Sequence, residues 1–547
     1  MPEDARPLTA AEPARGPERR PASGASGAGG AARAAAVVMA AIFASRLVGL
    51  VRQRLVAHWF GTSAFADVIA AAFRVGNITQ NLLGEGTLSA SFIPVYARLR
   101  AQGKQREATH FALSALGLLL LTVVGLSVVG ALAAPLITRL IAAGFDADRY
   151  QATVRMVRIT FPMTGLLVMG AWALGVLTSH RRFLLPYAAP VLWNLTQIAA
   201  LGVAAGWLSW RGGALAMALA WGALGGAVLQ VLVLLPSVRA LLGELGPRFD
   251  ARDGSVREAA RRLPGALLGR GVIQLSGLVD TFLVSFLGTG ANAVHGYAQM
   301  IYLLPMALLG TGEAAVALPE LASDTAERDE GRRREAMRAR LGGSLARVFT
   351  LTVPTALALI VFGRELCALL LQTGSFDRDA RARVVPLVAA YGFALLANAT
   401  GRVLGTTLYA LGDTHTPARY AMVRVVFSTA VSLALMWHLG VLGVVLGAVA
   451  AAWLEVALLA RKVRRSLADG SGATAGAALG LEHVRIVRVL LAGALPTGAA
   501  LGARYALLPL LGDGPLGAAA VLAVFGAVFL VAAQLLGLGG ARSFLRR

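Results

Sequence analysis

The chain has 547 residues, 57% of them hydrophobic and 15% charged, with a mean hydropathy of +0.67, whereas a soluble domain carries about 25% charged residues; a soluble globule is excluded. Its net charge of +22 comes with no aromatic-interleaved basic patch or DNA-binding motif, and its basic residues cluster in alternate loops, so membrane topology explains them and nucleic acid is not an expected partner. The single cysteine, Cys367, rules out an intramolecular disulfide and any cysteine-based metal cluster.

Residues 1–33 are rich in Pro, Ala, Gly, Ser and Arg, the composition of a disordered tail, and no short apolar core there suggests a cleaved signal peptide. Apolar windows of about 20 residues, long enough to cross a ~30 Å hydrocarbon core, then recur along the chain. Alternating apolar-out, polar-in decads are absent, which disfavours a membrane barrel. Fourteen spans are expected, at roughly 34–56, 66–96, 109–137, 154–178, 186–208, 213–236, 267–288, 293–321, 344–372, 384–410, 417–439, 441–461, 486–508 and 515–538. The fold class is an all-α polytopic membrane protein.

Arg46 falls well inside the first span, too deep for easy snorkelling. The second span carries Asp67, Arg74, Asn77, Asn81 and Glu85 at intervals of seven, three, four and four residues. On a helix these share one face, and Val68, Ile69, Ala72, Phe73, Ile78, Leu82 and Leu83 form the other. A charge at the bilayer centre costs roughly 2.5–3.5 kcal/mol on insertion scales. A stripe of this kind is therefore expected to line a wet cavity that passes something polar or charged.

Orientation follows from the loops. Arg98, Arg100, Lys104 and Arg106 follow the second span, Arg181 and Arg182 the fourth, and arginines between Arg239 and Arg262 the sixth. Further basic groups follow the eighth and twelfth, while 57–65 and 289–292 contain no Lys or Arg. The exceptions are 138–153 and 373–383. This pattern puts both termini in the cytoplasm of a multi-pass inner-membrane protein.

The chain also repeats itself. Gly144-Phe145-Asp146 with Pro186 matches Gly374-Ser375-Phe376-Asp377 with Pro417; Phe60-Gly61-Thr62 matches Leu287-Gly288-Thr289; Gly86 with Pro94 matches Gly312 with Pro319. The offset of 225–231 residues covers six spans. An even-span repeat keeps its orientation, so two six-helix lobes are expected to face each other about an axis along the membrane normal, with two C-terminal helices outside the repeat. The expected organisation is a tail 1–33, an N-lobe 34–240, a linker 241–265, a C-lobe 266–465 and a C-terminal unit 466–547.

The segments Ala44-Ser45-Arg46-Leu47-Val48-Gly49-Leu50-Val51-Arg52, Asp67, Ala72-Phe73-Arg74, Asn77 and Gly84-Glu85-Gly86-Thr87-Leu88-Ser89-Ala90-Ser91-Phe92-Ile93-Pro94 closely resemble the MurJ (MviN) lipid II flippases. These belong to the multidrug/oligosaccharidyl-lipid/polysaccharide exporter superfamily. The resemblance spans roughly residues 34–540. It implies that the chain moves an undecaprenyl-pyrophosphate-linked peptidoglycan precursor from the inner to the outer leaflet, with the bilayer and cell-wall synthesis proteins as the partners to consider. By motif position it assigns pyrophosphate contacts to Arg46, Arg52 and Arg74, and a matching basic position to Arg402. Asp67 and Glu85 match acidic positions of the same helix. The chain departs from the family where Gln80 or Asn81 stands for a further arginine. It departs again where Gln299-Met300-Ile301-Tyr302-Leu303-Leu304-Pro305 replaces a charged run in the eighth span. Some members bind sodium between the seventh and eleventh spans; here an Asp280–Arg424 pair is expected to supply a fixed cation instead.

Arginine suits pyrophosphate because its planar fork donates two hydrogen bonds to phosphate oxygens. Each assignment has a plainer rival. Arg46 could bridge to Asp67 or Glu85 simply to hold helices together, and Arg52 could snorkel to the outer interface. Asn77 joins Arg74 as cavity lining. Asp67 and Glu85 read as counter-ions that balance the empty cavity, and Gly84, Gly86 and Pro94 as helix-bending residues. No Walker A sequence, HExxH, GxSxG or clustered His/Asp set occurs within the spans, so no cofactor, metal or catalytic residue is expected. Moving about two negative charges out of a negative interior is downhill by roughly 2.3 kcal/mol per charge per 100 mV, so the potential or an ion gradient is the expected drive. Export of another lipid-linked glycan and a non-transporting scaffold or paralogue are the competing readings. The arginines outnumber the carboxylates, which argues against cationic drugs.

Overall fold

The computed structural model describes residues 24–306, 330–467 and 483–537. The first 23 residues of the expected tail, Gly312 and Pro319 of the repeat, and most of the linker before the C-terminal pair lie outside them, as does the side chain of Glu85. Regular structure among the described residues is helical, apart from an isolated bridge between Thr373 and Phe376. Helices α1 (Gly24–Phe60), α2 (Ala64–Leu83), α3 (Glu85–Ala101), α4 (Gln105–Leu132), α5 (Ala134–Ile141), α6 (Ala147–Ser179), α7 (Leu184–Gly202) and α8 (Gly212–Leu242) form a first bundle. Helices α9 (Gly254–Ser285), α10 (291–306), α11 (Glu330–Val361), α12 (Gly363–Leu370), α13 (Arg378–Ala410), α14 (His415–Leu439) and α15 (Val441–Leu467) form a second.

Four spans differ from expectation. Helix α1 starts at Gly24, inside the expected tail; alanine, the best helix former, fills most of 31–36 and carries the helix into the first span, although glycines stand among the residues before it. The second span is two helices: at Gly84 the backbone leaves helical geometry (φ −85°, ψ −131°) before α3 begins. The third and ninth spans each end in a separate eight-residue helix, α5 and α12. Nine described helices are long and apolar enough to cross a membrane, against fourteen expected spans. Helix α2 is not among them, because its polar stripe lowers its hydropathy.

The two bundles repeat one packing plan. In the first, α1 packs on α7, α7 on α8, α6 on α8, α4 on α6, and α5 on both α4 and α6. In the second, α9 packs on α14, α14 on α15, α13 on α15, α11 on α13, and α12 on both α11 and α13. The corners repeat too. Asp146 caps α6 by accepting from Arg149 N, and Asp377 caps α13 by accepting from Ala380 N. The C-terminal pair, His483–Leu511 and Pro515–Leu535, packs on α11 and α12.

Burial places the joint between the bundles. One apolar core runs through both of them at the end that holds Phe60, Phe145, Tyr297 and Phe376. At the opposite end the cores separate. Residues of α3, α4, α6 and α8 gather with Val256 in one cluster, and those of α11, α13 and α15 in another. The molecule is welded through a shared core at one end; at the other the cores are separate, and the lobes meet through α3 and α9, where Arg98 pairs with Glu258.

Candidate functional site between the two lobes

The welded end is built around Asp67, whose side chain has no exposed surface. Its Oδ2 accepts from Gly290 N at 2.6 Å and its Oδ1 from Ala293 N at 2.9 Å. A carboxylate of the first lobe thereby caps the amino end of α10 in the second, where the helix dipole favours a negative charge. Arg149 Nη1 donates to Asp67 Oδ2 at 3.2 Å, while its Nε donates to Asp146 Oδ2 at 2.7 Å.

Around this centre lie more inter-lobe bonds. Arg54 donates to Leu369 O (2.6 Å), Ser375 N to His58 O (2.8 Å) and Tyr297 Oη to Gly61 O (2.9 Å); Thr373 Oγ1 lies 2.8 Å from His58 Nδ1. The backbones approach so closely that two turns require glycine. Gly61 (φ +51°) would place a Cβ 2.2 Å from Ser375 O, and Gly374 (φ +54°) would place one 2.5 Å from His58 O.

Two turns further along α2, Arg74 reaches across to the second lobe. Its Nη2 donates to Gln299 Oε1 of α10 at 2.6 Å and its Nε to Thr281 Oγ1 of α9 at 3.3 Å. Asp280 lies within electrostatic reach of it. Past Arg74 the same face of α2 opens, since Asn77 and Asn81 are exposed. From the second lobe, Asn398 Nδ2 donates to Tyr302 Oη at 3.0 Å, and Tyr302 stacks on Tyr391 with ring centres 5.0 Å apart. Arg402, one turn from Asn398, is exposed and acts electrostatically on Tyr302. Arg46 is exposed at the edge of an apolar exposed stripe of α1 formed by Met39, Phe43, Leu47 and Val51. Neither Arg46 nor Arg402 makes a side-chain hydrogen bond or ion pair among the described residues.

Several sequence expectations need correction. Asp67 is not a cavity counter-ion: it is sealed between the lobes, because the stripe on α2 passes from the weld into the open half. Asp280 and Arg424 make no direct ion pair, because Arg424 Nη1 binds Glu455 Oε2 of α15 at 2.8 Å, although Arg424 still acts electrostatically on Asp280. Arg52 is occupied inside the first lobe, donating to Gln197 Oε1 at 3.3 Å and lying 5.1 Å from the centre of the Trp193 ring. Gly84 ends α2, Gly86 lies in the first turn of α3, and Pro94 is exposed within α3. The sequence reading missed Arg149, Thr281 and Glu455, and met Gln299 only as part of a departure from a charged run. Arg149 lay in view within a basic stretch on the otherwise cation-poor side.

At the divided end, charges outside the membrane tie elements together. Arg98 of α3 forms a two-bonded ion pair with Glu258 of α9, which holds that carboxyl below its usual range. Tyr96 Oη lies 3.0 Å from His180 Nε2 at the end of α6. Burial, helped by Arg100 and Arg182, pushes His180 down to about 4, so it is neutral near pH 7.

Two helical lobes joined at one end, with Arg74 of one bonded to neutral acceptors of the other, define a polytopic membrane transporter. The fold is shared with solved structures of that type. One described as lipid II flippase MurJ in an inward closed conformation superposes with a TM-score of 0.72 at 19% identity, over 91% of this chain and 98% of that one. An inward-facing multidrug transporter of the MATE family follows at 0.63 and 17%, over 80% and 100%.

The family model for lipid II flippase MurJ matches residues 56–508. The lipid II flippase MurJ of Burkholderia cenocepacia is 33% identical over 386 residues, covering 69% of this chain and 73% of the relative. The probable lipid II flippase MurJ of Rhizobium tropici is 32% identical over 426 residues, covering 77% and 78%. The chain belongs to the MurJ family and is a multi-pass bacterial membrane protein.

Proposed function

We propose that this chain flips lipid II, the undecaprenyl-pyrophosphate-linked peptidoglycan precursor, from the cytoplasmic to the outer leaflet. The observation that carries the reading is the charge balance beneath the weld. Arg74 is held there by neutral hydrogen-bond acceptors, with Asp280 acting on it only at a distance, and Arg46 and Arg402 have no ion-pair partner among the described residues. Such a site attracts an anion with several oxygens, and guanidinium forks match a diphosphate. The place of Arg46, at the border of the apolar exposed stripe of α1, suits a substrate whose polyprenyl tail stays in lipid while its headgroup enters. In this reading the welded end faces outward, both termini are cytoplasmic and the N-lobe is 34–240. The membrane potential drives the headgroup outward with no cofactor. Cell-wall synthesis proteins would supply and consume the substrate.

The test is rescue of a bacterial strain depleted of its own lipid II flippase. Wild type restores growth, and Arg46→Ala inserts in the membrane but fails to restore it. Failure of inserted wild type would refute the function; full rescue by Arg46→Ala would refute the assignment of Arg46.

A further inference from the structure

Arg74 belongs to the first lobe, yet its two described hydrogen-bond acceptors belong to the second. We propose that this is a substrate-released clasp: the diphosphate takes the guanidinium from Gln299 and Thr281, and that exchange loosens the joint between the lobes. The proposal rests on the functional reading above.

The geometry gives the clasp its place. Asp67 and the bonds around it form the weld; Arg74 lies seven residues further along α2, roughly 10 Å at 1.5 Å per residue. The next polar residues on that face, Asn77 and Asn81, are exposed. Arg74 is thus the inter-lobe bond that lies next to the weld on the polar face of α2. The guanidinium lies beside Gly277, where a Cβ would stand 3.5 Å from Nη1. Thr281 donates its own hydroxyl proton to Gly277 O at 2.8 Å, which leaves an oxygen lone pair for Arg74 Nε.

Chemistry makes the clasp reversible. Both acceptors are neutral, an amide oxygen and a hydroxyl. A phosphate oxygen is charged, and charge-assisted hydrogen bonds are roughly twice as strong as neutral ones. A carboxylate at position 299 would compete with phosphate on equal terms; glutamine does not. A ligand shifts a conformational equilibrium only by binding its two states unequally. Here the inequality is concrete: in the joined state Arg74 is occupied by the second lobe, and in the released state it is available to the diphosphate. Gln299 and Thr281 are positioning residues, which act on the substrate through Arg74.

The test uses full-length protein carrying Cys367→Ser, with spin labels at Asp148→Cys and Asp379→Cys. These two exposed, repeat-related positions lie on opposite lobes at the welded end. Undecaprenyl diphosphate is the probe, and its binding is measured separately by native mass spectrometry. The expected result is a longer label separation on adding the probe, and a longer separation without any probe in Gln299→Ala. Gln299→Glu should stay at the short separation even with the probe present. Opposite responses from two substitutions at one position separate a clasp from a general loss of packing. Probe binding with unchanged separations, or Gln299→Glu and Gln299→Ala behaving alike, would overturn the clasp alone. Absence of probe binding to the unsubstituted protein would overturn the functional reading, and the proposal with it.

Discussion

Removing the Asp67 carboxylate strands the amides of Gly290 and Ala293 and leaves the buried guanidinium of Arg149 with Asp146 as its one remaining carboxylate partner. Breaking one side of a buried ion pair costs about 3–5 kcal/mol, whereas replacing both sides with apolar groups can be nearly neutral. Asp67→Ala should therefore lower the unfolding temperature in detergent and abolish rescue, and Asp67→Ala/Arg149→Leu should regain part of that stability. A double variant no more stable than the single one would show that the loss does not come from Arg149. His180 carries a pH signature. Its folded value of about 4 lies below its ordinary 6.5, so the unfolded chain binds more protons in between. The contribution is complete above pH 6.5 and lost as the pH falls towards 4. Thermal unfolding followed across that window should decline in wild type and flatten in His180→Gln, which can still bond Tyr96. At this scale the sequence was half legible. Arg46, Arg74, Asn77 and Arg402 stand out because an unmatched polar group in an apolar span is costly. Asp67 looks the same by that criterion, yet it caps a helix more than two hundred residues away, a partner that no local pattern reveals.

Helices were legible wherever apolar runs met strong punctuation, as at Asp146 and Asp377, where a capping carboxylate opens a long span. Breaks inside apolar runs were not. Ala133 and Phe362 interrupt two spans; Pro135 in the first turn of α5 and Gly363 at the start of α12 mark the breaks, yet such residues also sit inside unbroken helices of this chain, as Pro162 does in α6. Gly374 had been noticed only as a repeat marker; its necessity comes from the backbone of His58 lying against it. Gly374→Ala adds a methyl 2.5 Å from His58 O at φ +54°, where an L-residue costs roughly 1–2 kcal/mol. The substitution should disfavour the joined state. A short thiol cross-linker between His58→Cys and Thr373→Cys, in a Cys367→Ser background, should then react less completely. An unchanged yield would mean that the turn absorbs the methyl.

For the whole molecule, the two-lobe plan was readable because paired corners recur at a nearly constant offset across an even number of spans. Which end would be joined was not readable, since it depends on which of two alternating arrangements the chain adopts. The joined end gathers Asp67, Arg149 and the glycine turns; Arg46, Asn77 and Arg402 are exposed away from it. This asymmetry has a direct test. A photo-crosslinking amino acid at Asn77, and a control at the exposed apolar position Val426, would be placed in cells making a labelled lipid-linked precursor. Capture of the diphosphate-bearing lipid from position 77 and not from position 426 is the expected result. Equal capture at both positions, or none at 77 in a protein that still supports growth, would contradict a headgroup path between the lobes.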